Sequence, residues 1–209
     1  QGSKDGFAGM EANGSLGGSF DNIDDLVGGS AVDSLTTLDA LSQFTIDQSN
    51  GGSYTSTNTL TFSSFDSLLA GSQADIFNFV GAGTLAISIN AGGGSDLIAY
   101  SGYGVAATVN LSTGVASTVN SGAAASISSF EHIAGSLFAD NLTGDSGANI
   151  ITGLAGNDTL AGLGGDDSYI FGDGWGTDNL SDTAGTDTFD FSSVTVLGSG
   201  ALTFSFDST

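Results

Sequence analysis

Four residues with oxygen-donor side chains recur at a fixed interval: Asp140, Asn149, Asp158 and Asp167 stand nine positions apart. Each closes a six-residue stretch opened by a glycine (Gly135, Gly144, Gly153, Gly162), and each is followed two positions later by an apolar or aromatic residue (Leu142, Ile151, Leu160, Tyr169). The three columns stay in phase through GSLFADNLT, GDSGANIIT, GLAGNDTLA and GLGGDDSYI, which abut without a gap from Gly135 to Ile170. Such a unit reads as a six-residue turn and a strand of about three residues. Two units then make one coil, and residues 18 apart stack one strand spacing (~4.8 Å) away. Asp140 lies over Asp158, and Asn149 over Asp167. Two carboxylates about 5 Å apart repel by roughly 3 kcal/mol at an effective dielectric of 20, so a column of them calls for a cation. Carboxylates and backbone carbonyls are hard oxygen donors that suit Ca2+, whereas Mg2+ demands a stricter octahedron. Zinc and copper have little to bind, because His132 is the only imidazole and cysteine is absent. The competing explanation is that Asp and Asn merely cap their turns as Asx-turns, and the scarcity of counter-cations weighs against it.

That scarcity runs through the whole chain. Against 23 acidic residues stands a single basic one, Lys4, for a net charge of −22. Only Glu11 and Glu131 are glutamates, and short Asp favours turns and metal sites where Glu favours helices. A surface of this sign repels nucleic acid and anionic membranes. No apolar run approaches the ~18 residues of a membrane span. The N-terminus QGSKDGFAG has no signal-peptide pattern, and a first residue of Gln suggests a mature or excised piece. The 209 residues include 34 glycines and no proline, which suits a backbone whose N–H groups are nearly all paired in ladders.

The elements that must carry these turns are strands. A longer cassette repeats at FDNIDDLVGGSAVD (20–33), FSSFDSLLAGSQAD (62–75) and ISSFEHIAGSLFAD (127–140), ending at Asp33, Asp75 and Asp140. AGGGSDLIA (91–99) offers another Asp-turn at Asp96. Tyr54–Phe62, Thr84–Ile89 and Val105–Leu111 read as strands. Beyond Ile170 the phase slips by two residues near Trp175, yet Asp178 and Asp187 remain nine apart. The expected architecture is all-β: a parallel β-roll/β-helix solenoid with calcium-binding Gly/Asp turns, its first half β-helix-like or β-sandwich-like. Residues 1–19 read as a linker or incomplete first coil and 20–134 as a β-rich repeat region. Residues 135–192 read as a calcium roll with its cap, and 193–209 as a C-terminal strand at the start of a possible next unit.

Residues 135–170 resemble the RTX calcium β-roll repeats (G-G-x-G-x-D-x-U-x) of toxins, proteases, lipases and giant adhesins secreted by the bacterial type I pathway. DDSYIFGDGWGTD resembles the element that closes such rolls, and the wider pattern is similar to units repeated in large surface proteins. The resemblance implies several Ca2+ ions. One would take Gly135, Leu137, Asp140, Leu154, Gly156 and Asp158; a second would take Gly144, Ser146, Asn149, Leu163, Gly165 and Asp167. Asp178 and Asp187 are further candidates, as are Asp33, Asp75 and Asp96, whose partners 18 residues away are not evident. Ser136, Asp145, Leu154 and Leu163 depart from the usual second-position glycine. Asn149 supplies one neutral oxygen, so its site is expected to be weak or rescued by Asp145 or Asp166.

The expected function is an extracellular calcium-binding structural module of a bacterial surface adhesin or fibre, with neighbouring units or its own copies as partners. The alternatives are a carbohydrate- or ice-binding module, or the targeting tail of a type I-secreted enzyme. His132, Ser136 and Asp140 lie close in sequence but lack any nucleophile motif, so no catalytic residue is assigned. Tyr169 and Trp175 read as end-cap packing rather than a sugar platform.

Overall fold

Side chains alternate along a strand, so a three-residue strand can point only its middle residue fully into the core. Asn141–Thr143, Ile150–Thr152 and Thr159–Ala161 do so, each with an exposed first residue, a buried second and a half-buried third. The computed structural model describes residues 8–11, 14–16, 24–37, 39–56, 58–196 and 200–206. Among them are 22 strands, one short 3-10 turn at Asn120–Gly122 and no α-helix. Phe20 and Ile23 of the first cassette lie outside the described residues.

The chain winds between a ten-stranded central sheet and, on the return stretches, first one and then another six-stranded sheet. The central sheet is parallel from Gln43–Gln48 through Ile76–Gly81, Leu97–Tyr103, His132–Ala134, Ile150–Thr152 and Ser168–Gly172 to Thr188–Ser193. Its register sets Phe44, Phe77, Ile98, Ile133, Ile151, Tyr169 and Phe189 in one column. Facing it are Leu35, Leu68, Ile89 and Ile127 from the N-terminal sheet and Val109, Leu142, Leu160 and Leu180 from the C-terminal sheet. These residues form one continuous buried core, with Phe189 at its partly exposed end. The first half is therefore the β-helix-like alternative, and no sheet boundary falls at residue 135.

Coil size changes along the axis. Stacked positions are 33, 21 and 35 residues apart between Ser42, Asp75, Asp96 and Glu131, but 18 apart from Asn149 to Asp167 and 20 from Asp167 to Asp187. The wider coils have room for aromatic pairs: Phe44 on Phe77 with centroids 4.5 Å apart, and Phe79 on Tyr100 at 5.2 Å. The narrow coils bury one apolar residue on each of Asn141–Thr143, Ile150–Thr152 and Thr159–Ala161, until Ser168–Gly172 buries both Tyr169 and Phe171.

Three strand expectations are corrected. Tyr54–Phe62 is not continuous: Gly51–Thr55 and Thr59–Ser63 form an antiparallel hairpin at one end of the central sheet. Ser56 and Asn58, polar residues of its connection, mark where the chain turns. Of Thr84–Ile89 and Val105–Leu111, only Ser88–Asn90 and Thr108–Asn110 pair as strands; Thr84 and Leu85 make isolated parallel bridges to Ser49 and Val119, and Ala86–Ile87 and Gly104–Val105 are bends. At the N-terminal end, Ala8–Glu11 pairs antiparallel with Gly14–Leu16 and with Ser34–Thr36. At the other end Gly200–Phe206 runs parallel to Gly176–Asp182.

Candidate metal centre

Each turn ends in a residue that forms a rung between coils. The main-chain N–H of Asp140 donates to Asp158 Oδ1 at 2.8 Å, that of Asp158 to Asp178 Oδ1 at 3.0 Å, and that of Ala107 to Asp140 Oδ1 at 2.6 Å. On the opposite edge the N–H of Asn149 donates to Asp167 Oδ1 at 2.8 Å, and that of Asp167 to Asp187 Oδ1 at 3.1 Å. The same edge continues into the first half. Ser42 N–H donates to Asp75 Oδ1 (2.8 Å), Asp75 N–H to Asp96 Oδ1 (2.7 Å), and Asp96 N–H to Glu131 Oε2 (2.8 Å). One carboxylate oxygen is thus fixed by the coil before it. What the other oxygen meets decides the chemistry.

Two kinds of turn result. In 135–140 the acid is satisfied within its own turn: Ser136 N–H donates to Asp140 Oδ2 at 2.6 Å and Ser136 Oγ–H to Oδ1 at 2.7 Å. In 144–149, Asp145 N–H donates to Asn149 Oδ1 at 2.8 Å, while Asn149 Nδ2–H donates to the Glu131 carbonyl at 3.1 Å. In 153–158 and 162–167 the second residue instead enters the left-handed region, with Leu154 at φ 71° and Leu163 at φ 78°. Such a backbone costs a non-glycine residue roughly 1–2 kcal/mol. Asp158 Oδ2 and Asp167 Oδ2 are then buried with no hydrogen-bond partner. A buried, unpaired carboxylate oxygen is strongly disfavoured, and the only Lys or Arg of the chain, Lys4, lies outside the described residues. An oxygen-seeking dication fits these sites.

Both proposed ligand groups are brought together. Turn 135–140, with Gly135, Leu137 and Asp140, lies against turn 153–158, with Leu154, Gly156 and Asp158. A Cβ on Gly156 would fall 2.5 Å from the Phe138 carbonyl oxygen. Turn 144–149, with Gly144, Ser146 and Asn149, lies against Leu163, Gly165 and Asp167 of turn 162–167, where a Cβ on Gly165 would fall 2.5 Å from Gly147 O. Of the two neighbours expected to support Asn149, Asp145 approaches its amide at 3.4 Å, whereas Asp166 Oδ1 accepts Thr186 N–H in the next coil. Asp178 and Asp187 extend the two edges, and Asp75 and Asp96 are adjacent rungs. Asp33 stands apart, on a separate edge with Asp66. Its N–H donates to Asp66 Oδ2 at 3.1 Å and its own Oδ2 accepts Gly29 N–H at 2.5 Å, so neither acid has a buried orphan oxygen.

Sequence reasoning missed Asp182. It forms a cluster with Asp167 and Asp187 whose carboxylate oxygens lie within 4.8 Å of one another, and it accepts the Tyr169 hydroxyl at 2.6 Å. The signal was DTAGTD (182–187), a sixth turn, after DGWGTD (173–178), that opens with Asp instead of Gly. Glu131 was noted only as part of a cassette, yet it is a rung.

Burial pushes the carboxyl of Asp158 up to about 7, with the charges of Asp178 and Asp140 adding to it. Burial likewise raises Asp167, beside Asp182 and Asp187, and Asp178 to about 6. An unfolded Asp titrates near ~3.9, so the metal-free fold holds protons more tightly than the unfolded chain. The contribution of these groups is full below about pH 4 and is lost as pH rises through 6 to 7. Urea unfolding of the metal-stripped chain is therefore expected to show higher stability at pH 5 than at pH 8, and the calcium midpoint should fall over the same interval because the ion displaces protons. Stripped-chain stability that climbs with pH would contradict this assignment. Asn149→Asp removes the amide donor to Glu131 and adds a charge to the column. It is expected to cost about 1–3 kcal/mol without metal and to recover most of that in calcium, as read from urea midpoints under both conditions.

No curated protein matches the chain. Residues 135–169 match the RTX calcium-binding nonapeptide repeat in four copies, the same turns whose second and fourth positions, rungs and orphan oxygens are described above. The segment at the narrow end of this solenoid is thus a run of RTX calcium-binding repeats, the kind that implies bound Ca2+ and occurs in secreted bacterial proteins.

Proposed function

We propose that the chain is an extracellular, calcium-stiffened structural module of a large bacterial surface adhesin or fibre, without a catalytic role of its own. The observation that carries this reading is the single parallel sheet that runs unbroken from Phe44 to Phe189 and extends the RTX turns into a longer rod. The residues that would tempt a catalytic reading are otherwise engaged. Ser136 Oγ is bound to Asp140, while His132 Nε2 contacts Ser95 Oγ at 2.5 Å and its Nδ1 accepts Ile150 N–H at 3.2 Å. No helix among the described residues is long and apolar enough to cross a membrane. Head-to-tail stacking with neighbouring units or a second copy is supported by the outer strand Thr188–Ser193, which ends the central sheet with Phe191 39% exposed; such an edge is a template for further strands.

One feature favours a surface-binding reading, for ice or carbohydrate. The C-terminal sheet sets Thr108, Asn141, Thr159 and Asn179 side by side in register, all exposed. Ice recrystallisation and glycan-array assays separate the readings, and no response in either favours the purely structural role. A catalytic domain in the flanking sequence would instead favour a targeting tail.

Circular dichroism tests the central claim. The metal-free chain at pH 7.5 is expected to lose part of its β signal and to regain it in millimolar Ca2+. Asp158→Asn together with Asp167→Asn is expected to raise the calcium midpoint by about tenfold or more, since ligand charge sets affinity in oxygen sites. A β signal indifferent to both chelator and calcium would overturn it.

A further inference from the structure

We propose a divalent-cation site of calcium-type chemistry in the first half of the solenoid, between turns 70–75 and 91–96, with the carboxylates of Asp75 and Asp96 as its charged ligands. The site lies outside the nonapeptide repeats and joins coils 21 residues apart rather than 18.

Three observations converge there. Both side chains are 0% exposed. In each, Oδ1 is fixed by a main-chain donor, Ser42 N–H on Asp75 and Asp75 N–H on Asp96. In each, Oδ2 is buried and has no hydrogen-bond partner. These are two of only four Asp oxygens in that condition among the described residues, and the other two are Asp158 Oδ2 and Asp167 Oδ2 of the RTX turns.

The backbone agrees. Gly92 and Gly94, second and fourth in the turn 91–96, have φ of 94° and 124°. The same two positions are left-handed in 153–158 (Leu154 71°, Gly156 146°) and in 162–167 (Leu163 78°, Gly165 104°). Left-handed residues at alternate positions are what turn successive carbonyls toward one point, and Gly adopts them without a Cβ penalty. The two coils are in main-chain contact: Gly93 N–H donates to Gly71 O at 2.9 Å, and a Cβ on Gly92 would fall 1.9 Å from that same oxygen.

The chemistry selects the ion. Two buried carboxylates one strand spacing apart carry two negative charges, which a monovalent cation cannot neutralise. The donors are all oxygens, which suits Ca2+ better than softer metals. The Glu131 rung, 35 residues beyond Asp96, separates this pair from the narrow coils, so the ion would be held independently of the RTX row and would clamp the wide coils to each other.

Calcium alone, titrated calorimetrically into the full chain, tests the site. Asp75→Asn with Asp96→Asn is expected to bind one ion fewer than the wild type while retaining at wild-type affinity the ions whose binding Asp158→Asn/Asp167→Asn weakens. Unchanged stoichiometry in D75N/D96N overturns the proposal, whatever the RTX turns do. If D75N/D96N does not fold in calcium, hydrogen exchange on the D158N/D167N chain decides. Calcium is expected to slow exchange across 71–76 and 92–97 by about tenfold or more, and exchange there that ignores calcium overturns the site.

Discussion

The rest of the structure depends on one repeated contact: a main-chain N–H at the end of one turn donating to the side chain that ends the turn of the next coil. It occurs from Ser42 to Asp75, from Asp75 to Asp96 and from Asp96 to Glu131. It recurs from Asn149 to Asp167 and from Asp167 to Asp187, and on the other edge from Ala107 through Asp140 and Asp158 to Asp178. The contact fixes register, because a slip of one residue would move an acid off its donor and flip the apolar residue two positions later out of the core. It also commits one carboxylate oxygen of every rung. The fold therefore concentrates negative charge along its edges as a direct consequence of how its coils are joined.

The two coil sizes answer that charge differently. Wide coils bury stacked rings such as Phe44 with Phe77 and Phe79 with Tyr100, each worth 150–250 Å2 of apolar surface per residue in order of magnitude. The 18-residue coils bury a single Leu or Ile per strand at Leu142, Ile151 and Leu160, and so thin a core leaves more of the folding free energy to bound metal. This is why the densest Asp-turns sit where the core is thinnest. At the narrow end Tyr169 links the two terms, since its ring lies in the core column over Ile151 while its hydroxyl donates to Asp182 beside the acid cluster.

Much of this was legible because the nonapeptide is strictly local: a six-residue turn and a three-residue strand can be counted along the chain, and the count fixes which residues stack. The parallel all-β class, the inward column of Leu142, Ile151, Leu160 and Tyr169 and the pairing of Asp140 with Asp158 all followed from an 18-residue period. In the first half the stacking distance varies between 21 and 35 residues. A fixed period could not find the partners of Asp75 and Asp96, although their turn chemistry was visible. The cassettes did align equivalent local structure, a three-residue strand followed by a turn ending in Asp, but Ser67–Leu69 and His132–Ala134 lie in different sheets. Local sequence encodes the turn; the length of chain returned between turns decides which face it reaches. The hairpin at Gly51–Ser63 was hidden for a related reason, since its connecting residues are as Thr/Ser/Asn-rich as its strands.

Asn149 shows how the departures from the repeat pattern fit together. An amide at a rung gives up one charge but gains a donor, which it spends on the Glu131 carbonyl. Glu131 is itself the acidic rung preceding it, so an Asp at 149 would stand between Glu131 and Asp167 on the same edge. Ser136 plays a comparable part on the other edge, donating through both its N–H and its hydroxyl to Asp140. The first turn of each edge in the RTX segment is thus held by neutral donors, and the next carries the orphan oxygen. The coils can stack on self-satisfied turns before any ion arrives, while Asp158 and Asp167 keep the fold's stability tied to calcium. Uniform Asp at every rung would sharpen that dependence but remove the foothold from which the stack is built.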